Sequence, residues 1–425
     1  MSASASPGAS SRSVYLVVVL GFFATAFEGY DLIIYGSAVP DLLAHSEWGL
    51  DAAQVGFIGS AALAGMVVGA LAAGWLSDRS GRRVSFISML SFFSVMMIFS
   101  AVAPSPELLA LCRFLAGIGL GGLPPIAIAL VSEFAPARRR AFLTTVTASG
   151  FGVGAILASV LSIALLEDLG FRFMFALGGI ALVTVVPLAI WLLPESPGFR
   201  SSSDQSTRHT STSPWVAIFK GRAGVATTLF ALANFSAFLL VFSITVWLPQ
   251  LMTEAGYSVQ SSLRFQLLLN VGALVGAVLG GVMSDRLGGR VVTGGLYVAA
   301  AIALGLLALP AMPAGVIAML LFVAGACGVG VGTVLWAFVA ERYGDRSRAT
   351  ALGFTMSAGR VGAAAGTSLG GLLVDAGAGL ASIAVLSAAA AAIAGLAVFF
   401  APSAPRPKPV QTAVTPATGP RSPAQ

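Results

Sequence analysis

Charged side chains are scarce in this chain of 425 residues, and their scarcity excludes a soluble globule. Only 9% of the residues are charged while 57% are hydrophobic, and the mean hydropathy is +0.92. Such a composition leaves too little polar surface to cover a water-soluble fold. The sequence therefore predicts a membrane protein.

Cysteine and histidine are rarer still, with two residues of each. Cys112 and Cys327 fall in apolar stretches, where cysteine acts as a small packing residue, so neither a disulfide nor a metal site is indicated. His45 and His209 fall in predicted loops, and no nucleophile cluster accompanies them. We therefore expect no metal and no cofactor, and an intramembrane enzyme is the weakest of the functional classes considered.

Long apolar runs are what the chain has instead. Runs of about 20 residues, enough to cross a hydrocarbon core of ~30 Å as a helix, recur twelve times. They fall at approximately 14–40, 53–76, 84–103, 107–133, 140–166, 172–193, 224–252, 263–284, 290–309, 313–339, 347–373 and 379–401. The predicted fold is thus an all-α membrane protein with twelve transmembrane helices, six in each half.

The segments between and beyond these runs define the predicted domains. They are a mobile N-terminal tail (1–13), an N-terminal half (14–193), a cytoplasmic linker (194–222), a C-terminal half (223–401) and a disordered C-terminal tail (402–425). The tails and the Ser/Thr-rich part of the linker lack the apolar residues that a packed core requires.

The placement of basic residues predicts the orientation in the membrane. With twelve spans both termini share one side, and 19 of the 23 lysine and arginine residues fall on that side. Because basic residues in short loops are retained in the cytoplasm, we expect cytoplasmic termini and a multi-pass protein of the bacterial inner membrane. The net charge of +6 then reflects topology and contact with the lipid bilayer, so no nucleic-acid partner is expected.

An internal repeat relates the two predicted halves. Five residues of the first half recur 207 positions later, and two more recur 208 positions later. The pairs are Gly74 and Gly281, Asp78 and Asp285, Arg79 and Arg286, Gly81 and Gly288, Arg83 and Arg290, Glu133 and Glu341, and Arg140 and Arg348. An offset that holds over this span indicates a duplicated, pseudo-symmetric polypeptide.

Four ionisable residues fall inside predicted spans, where a charge costs roughly 2.5–3.5 kcal/mol at a helix centre. Glu28 and Asp31 lie three residues apart on one face of the first helix, and Arg113 and Arg360 fall in the fourth and eleventh. Two neighbouring carboxylates in a medium of low dielectric favour retention of a proton, which proton coupling requires. Either arginine can bind a substrate carboxylate or pair with an acid, and the sequence leaves that choice open. All four could instead stabilise the bundle.

Aromatic and amide side chains offer candidate contacts for a substrate. We expect Tyr30, Phe238 and Trp336 to provide ring-stacking surface, and Gln266 and Asn270, four apart on one helix face, to bond ring substituents. The alternative for each is ordinary core or lipid packing.

The loop sequence GWLSDRSGRR, from Gly74 to Arg83, resembles the diagnostic motif of the major facilitator superfamily, and Gly281 to Arg290 resembles a weaker copy. Physically, the motif aspartate can bind the positive end of another helix dipole, while Arg79, Arg82 and Arg83 can reach acids such as Glu133 across the cytoplasmic seam. The residues expected to form this gate are Gly74, Asp78, Arg79, Gly81, Arg82, Arg83, Glu133, Asp285, Arg286, Arg290 and Glu341.

Within that superfamily, FEGYDLIIYGSAVPDLL, from Phe27 to Leu43, and PESPGFR, from Pro194 to Arg200, resemble the aromatic acid:proton symporters. Arg113 followed by Gly117 also resembles a superfamily motif in which the arginine is associated with proton transfer. The resemblance implies import of a benzoate- or hydroxybenzoate-type carboxylate with a proton, by alternating access. One departure is Glu28, where the symporters usually have aspartate.

Other functions are compatible with the same residues. They are proton symport of a non-aromatic organic acid, because the helix 1 pattern partly overlaps that group's, and a membrane sensor that binds aromatic acids without moving them. A drug antiporter is disfavoured because the fifth span reads GFGVGA, without the Gly-Pro pair typical of such proteins. No obligate protein partner is predicted, and we expect a monomer.

Overall fold

The structure, a computed structural model, describes residues 11–136, 139–194, 214–343 and 345–402. All regular structure in this part of the chain is helical, which confirms the predicted all-α class for these residues. The helices are α1 (Ser11–Ala44), α2 (Ala52–Ser80), α3 (Arg82–Ala101), α4 (Pro106–Phe134), α5 (Arg140–Gly178), α6 (Val185–Leu192), α7 (Pro214–Phe219), α8 (Arg222–Glu254), α9 (Val259–Leu287), α10 (Gly289–Leu307), α11 (Ala314–Ala324), α12 (Gly332–Arg342), α13 (Asp345–Asp375) and α14 (Gly379–Phe400). A 3-10 turn, Gly179–Leu182, precedes α6, and a π-helical turn, Gly325–Val329, lies between α11 and α12.

Ten of the described helical stretches are long and apolar enough to cross a membrane. The longest, Phe142–Leu192, has 51 residues and is interrupted at Gly170, whose φ of 69° is readily adopted only by glycine. Beyond the break, the backbone N–H of Phe171 donates to Asp41 Oδ2 at 2.8 Å, so a carboxylate from α1 caps the restarting helix. The break falls where the sequence analysis separated the spans 140–166 and 172–193.

Parts of the predicted tails and linker, residues 1–10, 195–213 and 403–425, lie outside the described residues. Two differences in boundaries are visible next to them. Helix α1 begins at Ser11, inside the segment predicted as a tail, and the short helix α7 lies inside the segment predicted as a linker.

The packing of helices repeats with the sequence. Helices α2 and α4 approach so closely that a Cβ added at Gly65 would collide with the carbonyl oxygen of Phe114. The equivalent contact, between Gly272 of α9 and the carbonyl of Phe322 in α11, lies 207 and 208 residues further on. Small residues allow such close approach between helices in a membrane. The duplication therefore appears in three dimensions as the same backbone contact.

Helices α1–α6 are here named the first bundle, and helices α8–α14 the second bundle. They meet along a seam where α2 packs on α13, α1 on α8 and α5 on α9. The end of the molecule that carries the arginine-rich loop between α2 and α3 is here named the basic end. Toward the opposite end, polar side chains join the bundles: Ser60 Oγ lies 2.6 Å from Ser368 Oγ, and Gln260 Nε2 donates to Glu167 Oε2 at 2.9 Å.

Candidate functional site

A buried ion pair lies in the first bundle at the level of the seam. Asp31 of α1 and Arg113 of α4 are each only 1% exposed. Arg113 binds both carboxylate oxygens, with Nη1 on Oδ1 and Nη2 on Oδ2, the latter at 3.0 Å. A bidentate pair of this kind is the arrangement that best compensates the cost of removing two charges from water. Sequence analysis predicted both residues, and the structure brings them together.

Aromatic rings and a thioether complete the surroundings of the guanidinium. Arg113 Cζ lies 5.3 Å from the ring centre of Tyr35 and 5.5 Å from that of Phe175, and Nη1 also contacts Met97 Sδ at 3.4 Å. Ring faces attract a cation, most strongly where water is excluded. Its Nε has no hydrogen-bond partner within the described part of the chain. Arg113 is therefore held firmly but keeps one unused donor.

Arg360 of α13, the other arginine predicted inside a span, crosses the seam. Its Nη1 donates to the backbone carbonyls of Met66 and Gly121 in the first bundle, the second at 3.3 Å. The Gly121 carbonyl is available because its usual helical donor would be the residue four further on, Pro125, which has no N–H. Arg360 also interacts electrostatically with Glu28, which is partly buried on α1.

Three aromatic side chains stack on the second-bundle side. The ring of Phe238 lies 6.1 Å from that of Phe242, with 16° between their planes, and 6.1 Å from that of Trp336, with 28°. Trp336 Nε1 donates to Asn234 Oδ1 at 2.9 Å, which fixes the indole. A Cβ at Gly359, next to Arg360, would lie 3.0 Å from the Phe238 ring. The predicted aromatic residues Phe238 and Trp336 thus form one stacked wall beside α13.

Tyr30, the third predicted aromatic residue, lies elsewhere. It is 5% exposed, and its hydroxyl donates to the backbone carbonyl of Met174 at 2.7 Å, within the first bundle. This bond ties α1 to the helix that follows the Gly170 break. A role for Tyr30 at a substrate remains a prediction.

The predicted amides Gln266 and Asn270 both join the two bundles. Ser37 Oγ donates to Gln266 Oε1 at 2.6 Å, and Gln266 Nε2 donates to the backbone carbonyl of Thr245 at 3.1 Å. That carbonyl lacks its helical donor because the residue four further on is Pro249. Gln266 therefore satisfies a carbonyl that a proline has freed, as Arg360 does at Gly121.

Asn270 lies one turn further along α9. Its Nδ2 donates to Ser159 Oγ of α5 at 3.1 Å, and it is 4% exposed. Both amides are therefore already bonded to protein groups, and their binding of a substrate remains a prediction.

A small cavity, with room for about one water molecule, lies between the bundles next to the ion pair. Both bundles contribute to its wall. It is lined by Leu32, Tyr35, Gly59, Leu63, Arg113, Phe242, Val246 and Thr367. Gly59 makes room for a ring, because a Cβ there would press on the Tyr35 side chain. The cavity thus combines one guanidinium with two aromatic rings.

Thr245 is a feature that the sequence analysis missed. It is 3% exposed, and its Oγ1 has no hydrogen-bond partner within the described residues. A signal was present in the sequence, because Phe238, Phe242 and Thr245 follow the spacing i, i+4, i+7 of a single helix face. A threonine on a face of aromatic residues offers no charge, however, and was not distinguished from packing.

At the basic end, the predicted gate residues form contacts within each bundle. Arg82 of α3 pairs with Glu133 of α4. Both helices belong to the first bundle, so this ion pair lies within that bundle. The reason is that Glu133 ends the helix packed beside α3, which brings it within reach of the loop in its own half.

The last arginine of each motif copy has the same role. Arg83 Nη2 donates to the carbonyl of Ile190 near the end of α6, and Arg290 Nη2 donates to the carbonyl of Ala401 just beyond α14. Arginine near a helix C-terminus satisfies free carbonyls and favours the negative end of the dipole. The motif arginines thus fasten the last helix of each bundle.

The remaining gate residues are placed as follows. Gly81 and Gly288 have φ of 81° and 87°, values suited to glycine at the turn between helices. Arg79 lies 5.7 Å from the Trp75 ring, and open space surrounds the Cβ position of Gly74. Asp285 and Arg286 are exposed. The side chains of Asp78 and Glu341 lie outside the described residues.

These features define a helical membrane protein with two packed bundles and a charged site at their junction, the architecture of secondary transporters. The sequence model of the Major Facilitator Superfamily matches residues 21–367 and, separately, 268–424. The chain belongs to this superfamily.

Similar proteins of named function narrow the resemblance. The chain is 37% identical over 373 residues to the gentisate transporter of Corynebacterium glutamicum, covering 86% of this chain and 82% of that protein. It is 34% identical to the benzoate transport protein of Acinetobacter baylyi, with coverage of 84% and 83%, and 31% identical to the 4-hydroxybenzoate transporter PcaK of Pseudomonas putida, with 86% and 87%. The predicted resemblance to aromatic acid transporters is confirmed.

Solved structures agree in fold. A D-xylose-proton symporter superposes with a TM-score of 0.77 at 20% identity, covering 92% of this chain and 98% of that one. The inward-open xylose transporter XylE from E. coli gives 0.76 at 19% identity, with coverage of 93% and 98%. At such identities the likeness concerns the fold alone.

Proposed function

We propose that this protein imports an aromatic carboxylate, of the benzoate or hydroxybenzoate type, together with a proton. The observation that carries the proposal is the Asp31–Arg113 pair, a titratable anion held in bidentate fashion beside a cavity between two bundles. The names of the similar proteins supply the substrate class. Because those proteins are transporters, we also infer that this chain is not an enzyme.

Twelve spans in two halves support an alternating-access cycle. Ten candidate spans are found by length and composition, the stretch Phe142–Leu192 is long enough for two, and α13 adds a helix of 31 residues. Basic residues concentrated on the side of both termini favour cytoplasmic termini in an inner membrane. We propose the halves 14–193 and 223–401 as the moving units, acting as a monomer.

Proton coupling is assigned to Asp31, with Glu28 assisting. When Asp31 is ionised, it holds Arg113, so the buried pair is neutral and no anion is needed nearby. A proton on Asp31 removes the negative charge and leaves the guanidinium without its partner, which makes binding of a carboxylate favourable. Proton and substrate then bind together because each removes the electrostatic cost that the other creates.

The substrate carboxylate has two candidate partners, Arg113 and Arg360, as the sequence analysis expected. Arg113 lines the cavity, and its Nε has no partner among the described residues. Arg360 lies beside the Phe238–Trp336 wall, and its hydrogen-bond partners within the described residues are backbone carbonyls. An aromatic ring between the two bundles can stack on Phe238 or Tyr35 in either case. Gln266 and Asn270 hold the seam closed at this level until the bundles move.

The gate residues act at the basic end. We propose that Arg82–Glu133 and the fastening arginines Arg83 and Arg290 keep each bundle rigid, so that the two bundles rock as bodies about the site. Closure toward the opposite end rests on the Ser60–Ser368 contact and its neighbours across the seam.

Reconstituted vesicles test the function directly. We expect labelled benzoate to accumulate against its gradient when the outside is acidic, and accumulation to stop when a protonophore removes the pH gradient. Counterflow without a pH gradient separates a transporter from a sensor, which gives none. Failure of benzoate, 4-hydroxybenzoate and gentisate all to enter or exchange would refute the proposal.

A further inference from the structure

The Thr245 hydroxyl is a buried polar group without a partner, and such groups are uncommon. Thr245 is 3% exposed, and its Oγ1 has no hydrogen-bond partner within the described residues. A helical threonine usually donates to the carbonyl four residues back, as Thr253 does to Pro249 at 2.9 Å on the same helix. Leaving a hydroxyl unpaired in a dry site is unfavourable, so each such group requires an explanation.

The position of Thr245 connects it with the proposed substrate. It follows Phe238 and Phe242 on one face of α8, and the next residue, Val246, lines the cavity beside Arg113. Its backbone is fixed from two sides, because Gln266 binds its carbonyl and a Cβ at Gly36 would lie 2.8 Å from the same oxygen. Thr245 thus lies on the helix face that carries Phe238 and Phe242, and the groups that hold its backbone do not bond its hydroxyl.

Neutral polar groups nearby are already bonded. The Tyr35 hydroxyl donates to the Val55 carbonyl at 2.5 Å, and Thr367 Oγ1 donates to Ala363 at 3.1 Å. The amide of Asn234 binds Trp336, and both ends of the Gln266 amide are in use. Of these neutral side chains, only Thr245 has a side-chain polar atom that makes no hydrogen bond within the described residues.

We propose that the Thr245 hydroxyl recognises a single ring hydroxyl of the transported aromatic carboxylate. The inference rests on the proposed function and narrows its substrate class to benzoates with one hydroxyl. An unsubstituted ring leaves Thr245 unpaired, whereas each further ring hydroxyl meets neutral polar atoms that already make a hydrogen bond and offer only their remaining capacity. A site built to bond a hydroxyl discriminates against analogues that lack it.

The test compares ratios of transport. In vesicles, kcat/KM for uptake is measured for benzoate and for the ortho, meta and para monohydroxybenzoates, with wild type, Thr245→Val and Thr245→Ser. For the preferred isomer, we expect Thr245→Val to lower its kcat/KM relative to benzoate about tenfold, which corresponds to about 1.4 kcal/mol. Thr245→Ser keeps the hydroxyl and is expected to retain at least a third of the wild-type ratio.

The matched control is Thr253→Val, which removes a hydroxyl from the same helix at a position whose hydroxyl is already bonded. It should keep the wild-type ratio. Because a ratio does not depend on the amount of active protein, partial misfolding cannot imitate the expected result. If Thr245→Val left the kcat/KM ratio of hydroxybenzoate to benzoate unchanged, the inference would be overturned, and the hydroxyl would be assigned to binding an internal water molecule. Absence of uptake of every acid by the wild type would instead refute the proposed function.

Discussion

Replacing Asp31 by asparagine tests both the stability and the coupling that we assign to the buried pair. The substitution keeps the size of the side chain but leaves the Arg113 charge, 1% exposed, without an anion. Removing one partner of a buried pair costs about 3–5 kcal/mol of stability. Because the asparagine oxygen can still accept one hydrogen bond, we expect Asp31→Asn to lower the free energy of unfolding by ~3 kcal/mol. In the double variant with Arg113→Gln neither charge of this pair remains. The double variant should therefore lose less free energy of unfolding than the two single variants lose together, by at least ~2 kcal/mol.

The assay combines two measurements on the same four proteins. Reversible denaturation of the purified proteins in detergent gives the free energies of unfolding for the double-mutant cycle. Uptake in vesicles gives the coupling, and Asp31→Asn should exchange substrate but not accumulate it when the pH gradient is imposed. Asp51→Asn is a suitable control, because Asp51 is an exposed N-cap that asparagine replaces equally well. Additive losses in the cycle would refute the stabilising role of the pair. Uphill uptake by Asp31→Asn would refute its role in proton coupling.

Four further substitutions test other contacts of the structure. Arg360→Lys loses the planar fork of donors, so we expect KM for benzoate in counterflow to rise at least about tenfold, and an unchanged KM would assign the carboxylate to the other arginine. Gly272→Ala should lower the free energy of unfolding by about 1–3 kcal/mol because its Cβ meets the Phe322 carbonyl. Gly295→Ala, with open space around it, should be neutral or stabilising, and equal effects of the two would contradict the packing argument. Glu28→Asp keeps the charge and should retain pH-driven uptake, whereas complete inactivity would mean that the longer side chain is required.

Much of the fold follows from local sequence. Apolar runs and their breaks placed the helices within a few residues, including the interruption at Gly170, because a helix in lipid must satisfy its own backbone and needs a fixed length. Such features depend on residues that are neighbours in the chain.

The partners of the site residues were harder to predict. The sequence pointed to Glu28, Asp31, Arg113 and Arg360 because charge is costly in a membrane, and this argument names residues without naming pairs. Prolines within the helices were a second signal in the sequence, because each frees a carbonyl that a side chain of another helix can bind. The sequence analysis did not use this signal. Pro125 frees a carbonyl four residues earlier, and Arg360 occupies it across the seam.

By itself, the sequence determined a duplicated helical membrane protein, the side of its basic loops and the four charged residues within its spans. Only the tertiary structure decided that Arg113 pairs with Asp31, 82 positions away, and that Glu133 pairs within its own bundle. It also decided that the Thr245 hydroxyl has no partner among the described residues. The physical reason is that helix length and amphipathic pattern are local properties. Which side chains meet depends on the crossing of helices, and close backbone contacts such as that of Gly65 with Phe114 set those crossings.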